Sequence, residues 1–172
     1  MMPAMLRQFE LRSEIASGGM GTVYRAWDTT LGREVAVKLM RHEIAGEAAA
    51  VDAFAMEARA CAQLNHTNII HIYTFDEHEG DKYLVMEIAD AGSLDSRIEK
   101  QKHLPELEVL DVGIKVASGL AAALRHGLLH LDIKPGNILF NGEGEPKVVD
   151  FGLARKADAD TDAYAPIFGT PY

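Results

Sequence analysis

His130-Leu131-Asp132-Ile133-Lys134-Pro135-Gly136-Asn137 and, further on, Asp150-Phe151-Gly152 carry the reading on which the fold turns. Working outward, Val35-Ala36-Val37-Lys38 lies upstream in an apolar, β-branched strand. Glu57 sits in the helical stretch Phe54-Ala55-Met56-Glu57-Ala58-Arg59, and Ala16-Ser17-Gly18-Gly19-Met20-Gly21-Thr22-Val23 is rich in glycine. Each of these alone has a bland reading. The glycines mark an ordinary hairpin turn, and a lone strand lysine faces solvent. A helical glutamate is solvated, and an aspartate before Phe-Gly sits in a turn. Together, in one order along the chain, they leave little room for coincidence.

The surrounding sequence bounds what the chain can be. Its 172 residues are enough to bury a core. A formal net charge of -9 argues against a nucleic-acid-binding surface, so any anionic ligand must meet positive charge supplied locally. The single cysteine, Cys61, excludes an internal disulfide, suits a reducing compartment and reads as a buried small hydrophobe. No apolar run is long enough for a signal peptide or a membrane span, which makes cytoplasmic the expected location. His42, His66, His71, His78, His103 and His126 show no metal-ligand spacing, so zinc is not expected.

Periodicity places the motifs on elements. Phe9 to Ser17 and Thr22 to Trp27 read as two strands flanking the glycines, and Arg33 to Met40 as a third. Gly46 to Leu64 is rich in alanine, free of proline and helical in period through Val51, Phe54, Ala58, Cys61 and Leu64. Ile69 to Phe75 and Tyr83 to Ile88 follow as strands, separated by the charged turn Asp76 to Asp81. Ala89-Asp90-Ala91-Gly92 reads as a hinge. A short helix is expected over Ser93 to Gln101, and a long one from near Pro105 to Gly127. The long helix is apolar over most of its circumference, a pattern that asks for neighbours on several sides. Lys156 to Ala165 reads as a polar, acidic, mobile segment, and no internal repeat is present.

These motifs resemble those of a eukaryotic-type Ser/Thr protein kinase catalytic domain, and the Gly18-Gly19-Met20-Gly21 wording is similar to that of bacterial members. The resemblance runs from about Phe9 to Tyr172. It implies an α+β, protein-kinase-like bilobal fold. Residues 9–88 would form an antiparallel β N-lobe with one αC-type helix, and residues 89–92 the hinge. Residues 93–172 would form a partial, mainly helical C-lobe with catalytic loop and activation segment. The implied activity is transfer of the ATP γ-phosphate to a Ser/Thr hydroxyl of a protein substrate. The alternative of another class is a non-catalytic, pseudokinase-like module that binds ATP and acts through partners.

The same resemblance assigns roles. Asp132 would orient the substrate hydroxyl and accept its proton, and Lys134 would neutralise the moving phosphate; Lys134-Pro135 points to the Ser/Thr branch. Lys38 would pair with the α/β-phosphates and be held by Glu57. Gly18, Gly19 and Gly21 would form a lid over the phosphates, since glycine admits close backbone approach. Ile15, Val23, Ala36 and Leu139 would enclose adenine, with Met86 at the back and the backbone of Glu87 and Ala89 at its edge. Asn137 and Asp150 would bind Mg²⁺ through oxygen. Cys61, Ile72, His130 and Phe151 would stack as an internal column.

The chain departs from the pattern in three places. Ala16 replaces the first glycine of the lid. Leu131 replaces an arginine that receives a phosphorylated residue, so switching by that route is not expected; Thr161, Tyr164 and Thr170 remain candidate phosphosites. Gly169-Thr170-Pro171-Tyr172 resembles the start of the substrate-docking segment, and Ala165-Pro166-Ile167 is only superficially similar to the motif that normally follows it. The expectation is a fragment of a longer product or a truncated enzyme, inactive by itself in the absence of the later C-lobe helices, with an exposed C-lobe surface open to a covering partner.

Overall fold

Alternation in Arg33–Met40 divides that strand between two environments: Val35 and Val37 are fully buried, while Lys38 is half-buried on the opposite face. The computed structural model describes residues 5–18, 21–40, 48–151 and 155–156; within these, the side chains at 49, 53, 57, 60, 61, 155 and 156 are left aside. The chain forms two units, Met1–Ala62 with His71–Ile88, and Gln63–Ile70 with Ala89–Tyr172.

The first unit is built on an antiparallel sheet of six strands. These are β1 (Met5–Leu6), β2 (Phe9–Ser17), β3 (Gly21–Asp28), β4 (Arg33–Met40), β5 (Ile72–His78) and β6 (Asp81–Met86), in the spatial order β1-β2-β3-β4-β6-β5. The period-2 pattern sends Ala26, Val35, Val37, Tyr83 and Val85 to one face, where they pack with Leu6, Phe9 and Leu11 as the core. Phe9 and Tyr83 meet edge to face at 6.2 Å between ring centroids. Helix α1 (Ala48–Ala62) packs against β5, with Phe54 fully buried and 5.9 Å from the ring of Phe75.

Two sequence expectations change here. The strand expected from Ile69 instead begins at Ile72 and runs through the charged residues to His78. The turn shrinks to Glu79-Gly80, with φ of 52° and 89°, the paired positive values of a two-residue hairpin whose twist matches its strands. Charge did not break the strand because its partners are charged too: Glu77 stands opposite Lys82 and bonds to it. Accordingly, β6 starts at Asp81 and ends at Met86 rather than spanning Tyr83 to Ile88.

The second unit carries helices α2 (Leu94–Gln101) and α3 (Glu106–Arg125), then β7 (Leu128–Leu129), β8 (Ile138–Phe140), β9 (Pro146–Val148) and β10 (Arg155–Lys156). Ser93 caps α2 reciprocally with Ser96. Pro105 precedes α3, and Gly127, at φ 70°, ends its last turn. Only one face of α3 is buried, through Val112, Val116, Gly119, Ala122 and Ala123. Leu107 is 81% exposed, and Val109, Leu110, Ile114 and Leu124 also face outward, so the neighbours expected on several sides are present on one side only among the described residues. Arg97 of α2 lies 3.4 Å from the ring centroid of Phe140 and bonds to Glu108 of α3. No helix among the described residues is long and apolar enough to cross a membrane.

Two glycines give opposite predictions. A Cβ at Gly21 would lie 2.3 Å from the backbone oxygen of Leu39, whereas one at Gly113 in α3 would meet nothing within 4 Å. Gly21→Ala is expected to lower the melting temperature through a clash costing about 1–3 kcal/mol. Gly113→Ala is expected to raise it, by up to ~1 kcal/mol of helix propensity. Thermal melts of both variants check the pair, and a stable Gly21→Ala protein contradicts the register assigned to β3 and β4.

Candidate active site

In the first unit, cross-strand register gathers the candidate nucleotide residues on the sheet face opposite the core. Val23 stands opposite Lys38, Lys38 opposite Leu84, and Ala36 opposite Met86. Residues two apart share a face, so Val23, Ala36, Lys38 and Met86 all present to one side. The Lys38 ammonium lies 5.6 Å from the centre of the Phe54 ring, which brings α1 to that face. Ile15 is the extra residue at a bulge, between the pairs Glu14–Tyr24 and Ala16–Val23, and is exposed. At the tip, Gly18 N–H donates to the Gly21 carbonyl at 2.9 Å, and the Ser17 and Thr22 hydroxyls are 3.1 Å apart. Glu87 N–H donates to the carbonyl of His71. Gly19 and the side chains of Glu57 and Cys61 lie outside the described residues, as do Gly152 and residues 157–172 with their three candidate phosphosites.

In the second unit, the loop from His130 to Asn137 is tied together by its own side chains. Asn137 is buried, and its amide donates twice to Asp132, to the backbone carbonyl at 2.9 Å and to carboxylate Oδ2 at 3.2 Å. Lys134 Nζ reaches the same Oδ2 at 2.9 Å. With both amide protons used on Asp132, Asn137 Oδ1 is the atom left to face a cation, and oxygen is the donor a hard cation selects. The loop therefore orders Asp132, Lys134 and Asn137 as one cluster. Among the described residues there is no group of three or more His, Cys, Asp or Glu side chains able to hold a metal. Ala89 is buried, and Leu139 on β8 pairs with Lys147.

His130 holds this loop in shape. It is buried, its Nε2–H donates to the carbonyl of Val149 at 2.9 Å, and its Nδ1 accepts from Asp132 N–H at 3.2 Å. That pattern needs a neutral ring with its proton on Nε2. Burial lowers the imidazole pKa, against the Val149 bond and the carboxylates of Asp150 and Asp132, which favour the charged ring. The ring meets Phe151, fully buried, at 4.6 Å. Leu131 and Asp150 both adopt φ 66°, a left-handed conformation costly for residues with a Cβ, and such outliers concentrate where backbone is held for function. Leu131 is exposed and brings no cation to the loop.

Sequence reasoning missed one contributor. Val149, between β9 and Asp150, donates its N–H to the carbonyl of Asn137 at 3.0 Å, while β9 itself is gripped by Asn68 and Ile70. Metal spacing at His66 and strand period from Ile69 are local signals, and neither reveals partners this distant in sequence.

The protein kinase domain family matches residues 9–172. The chain is 39% identical over 164 residues, 95% of its length, to serine/threonine-protein kinase PknL of Mycobacterium tuberculosis. It is 37% identical over 157 residues to PknA of the same species, and 36% identical over 157 residues to a probable serine/threonine-protein kinase of Clostridium perfringens. It spans 41%, 36% and 23% of the lengths of these three relatives.

The lowered His130 pKa has a sign. Because the folded ring prefers to be neutral, its contribution to stability is fully present above the ordinary value of 6.5 and is lost as pH falls through the lower folded value. An NMR titration is expected to show His130 titrating below 6.5 with the proton on Nε2. A midpoint at or above that value would overturn the assigned hydrogen bonds.

Proposed function

This chain belongs to the protein kinase family, and we propose that it transfers the γ-phosphate of ATP to a serine or threonine hydroxyl of a protein substrate. The observation that carries the reading is the cluster in which Asn137 and Lys134 both bond to the Asp132 carboxylate. Phosphoryl transfer through a loose transition state asks for positioning and charge neutralisation rather than covalent help. Asp132, fixed by two donors, orients the substrate hydroxyl and takes its proton as the new O–P bond forms. The bond from the γ-phosphorus to its bridging oxygen breaks, and ADP leaves. Lys134, already 2.9 Å from Asp132, neutralises charge on the phosphoryl group in transit.

The remaining roles follow the same reading. Lys38 binds the α/β-phosphates with Glu57 as its partner, while backbone groups at Gly18, Gly19 and Gly21 cover the phosphates. Ile15, Val23, Ala36 and Leu139 give the adenine ring an apolar environment. Met86 stands behind the ring, and the Glu87 carbonyl and Ala89 N–H bond its edge. Asn137 and Asp150 hold Mg²⁺, which supplies positive charge to the phosphate oxygens when bound. Support for this pair is the amide orientation that leaves Asn137 Oδ1 as an oxygen donor, together with the Asn137–Val149 bond one residue before Asp150. Leu131 gives the loop no cation for a phosphorylated residue, so control through that position is not part of the proposal.

Asp132→Asn is the decisive variant. It keeps shape and removes the proton acceptor, so phosphotransfer should fall by about 10²–10⁴-fold. Binding should persist: saturating Mg·ATP at about 100 times Kd adds ~2.7 kcal/mol to stability, seen as a higher melting temperature. Phosphotransfer undiminished in Asp132→Asn, or a wild-type melt indifferent to Mg·ATP, would sink the assignment.

A further inference from the structure

Val148 and Val149 spend their backbone groups on opposite edges. On one edge, Val148 N–H donates to the Asn68 carbonyl at 2.8 Å, and its carbonyl accepts from Ile70 N–H at 3.0 Å. On the other, Val149 N–H donates to Asn137, and its carbonyl accepts from His130 Nε2. Ile69 thus forms an isolated parallel bridge to Val148, beside the two-stranded pairing of β8 with β9. The side chain of Asn68, buried, adds a bond from its Nδ2 to the carbonyl of Pro146 at 2.9 Å, so this one residue grips both ends of β9.

Asn68 is itself held. Its N–H donates to His66 Nδ1 at 3.0 Å, Ile69 N–H donates to the His66 carbonyl, and His66 Nε2 lies 3.1 Å from the Ser118 hydroxyl on α3. Beside Ser118, Gly119 leaves room for this segment: a Cβ there would come 3.2 Å from the Asn68 carbonyl oxygen and 3.3 Å from Ile69 Cγ1. Helix α3 therefore seats residues 66–70, these residues seat β9, and β9 runs directly into Asp150.

We propose that Asn68 is a positioning residue for divalent-cation binding, acting through β9 on Asp150 and, through Val149, on Asn137. This rests on the reading of Asn137 and Asp150 as the Mg²⁺ ligands. Groups that orient ligating side chains commonly control metal affinity by about 10–100-fold. Loss of the Pro146 bond leaves β9 held on this edge by the backbone bonds of Val148 alone, which loosens the short segment leading to Asp150.

The test is a Mg²⁺ titration of the intact protein at saturating ATP, read both as melting temperature and as phosphotransfer rate. Asn68→Ala is expected to raise the half-saturating Mg²⁺ concentration about tenfold in both readouts. The melting increment from metal-free ATP should stay as in wild type. Gly119→Ala reaches the same path from α3, since its methyl presses on the Asn68 carbonyl and Ile69. It should shift the Mg²⁺ midpoint in the same direction. An Asn68→Ala protein that melts lower yet keeps the wild-type Mg²⁺ midpoint makes Asn68 merely structural and overturns the proposal. If Asn68→Ala does not fold, an unchanged midpoint in Gly119→Ala overturns it. A wild-type protein with no Mg²⁺-dependent increment refutes the ligand reading itself, and the proposal with it.

Discussion

The second unit depends on one constraint: two adjacent residues, Val148 and Val149, must satisfy four backbone groups with no water to help Val148, which is fully buried. The partners come from three distant stretches of chain, residues 68–70, Asn137 and His130. An unpaired buried amide costs about 1–3 kcal/mol, so these stretches cannot drift independently. The candidate metal ligands are placed by this requirement, since Asn137 is one partner and Asp150 follows immediately. His130 then links the same strand to Asp132 through its second nitrogen. A single neutral imidazole thus conveys the position of β9 to the residue proposed to take the proton.

The first unit solves a different problem with simpler means. A sheet with one face committed to a core has its other face available, and β-strand alternation sorts the residues between them. Val35, Val37, Tyr83 and Val85 fill the core, while Ala36, Lys38 and Met86 occupy intervening positions on the same strands. Stability and candidate function are interleaved residue by residue. Register must therefore hold strictly, because a slip of one place would bury Lys38. Gly21 contributes to that register by letting β3 approach the Leu39 carbonyl more closely than a side chain permits.

Much of this was legible in sequence, for physical reasons that also mark where reading stopped. Strands β2 and β4 and the start of α2 follow from alternation and local turn chemistry, which a short window contains. The cluster of Asp132, Lys134 and Asn137 spans a few residues and announced itself as a motif. The β5 boundary did not, because charged residues read as a turn until their partners on β6 are known. The outward-facing side of α3 looked like core by composition, which counts apolar residues without saying what stands against them. The Asn68 contact with Pro146 spans 78 positions, beyond any periodicity.

If Asn137 holds the ion as proposed, its surroundings give a reason for an amide where a carboxylate would bind a divalent cation more strongly. One end of this side chain must give protons to Asp132, and the other must offer a lone pair. A carboxylate has lone pairs at both ends and would set like charges against each other beside Asp132. On the proposed roles, only a two-faced group would satisfy both neighbours, giving up affinity for the ion to keep the proposed base oriented. In that reading Asn137 is less a ligand than an adaptor between opposite electrical demands.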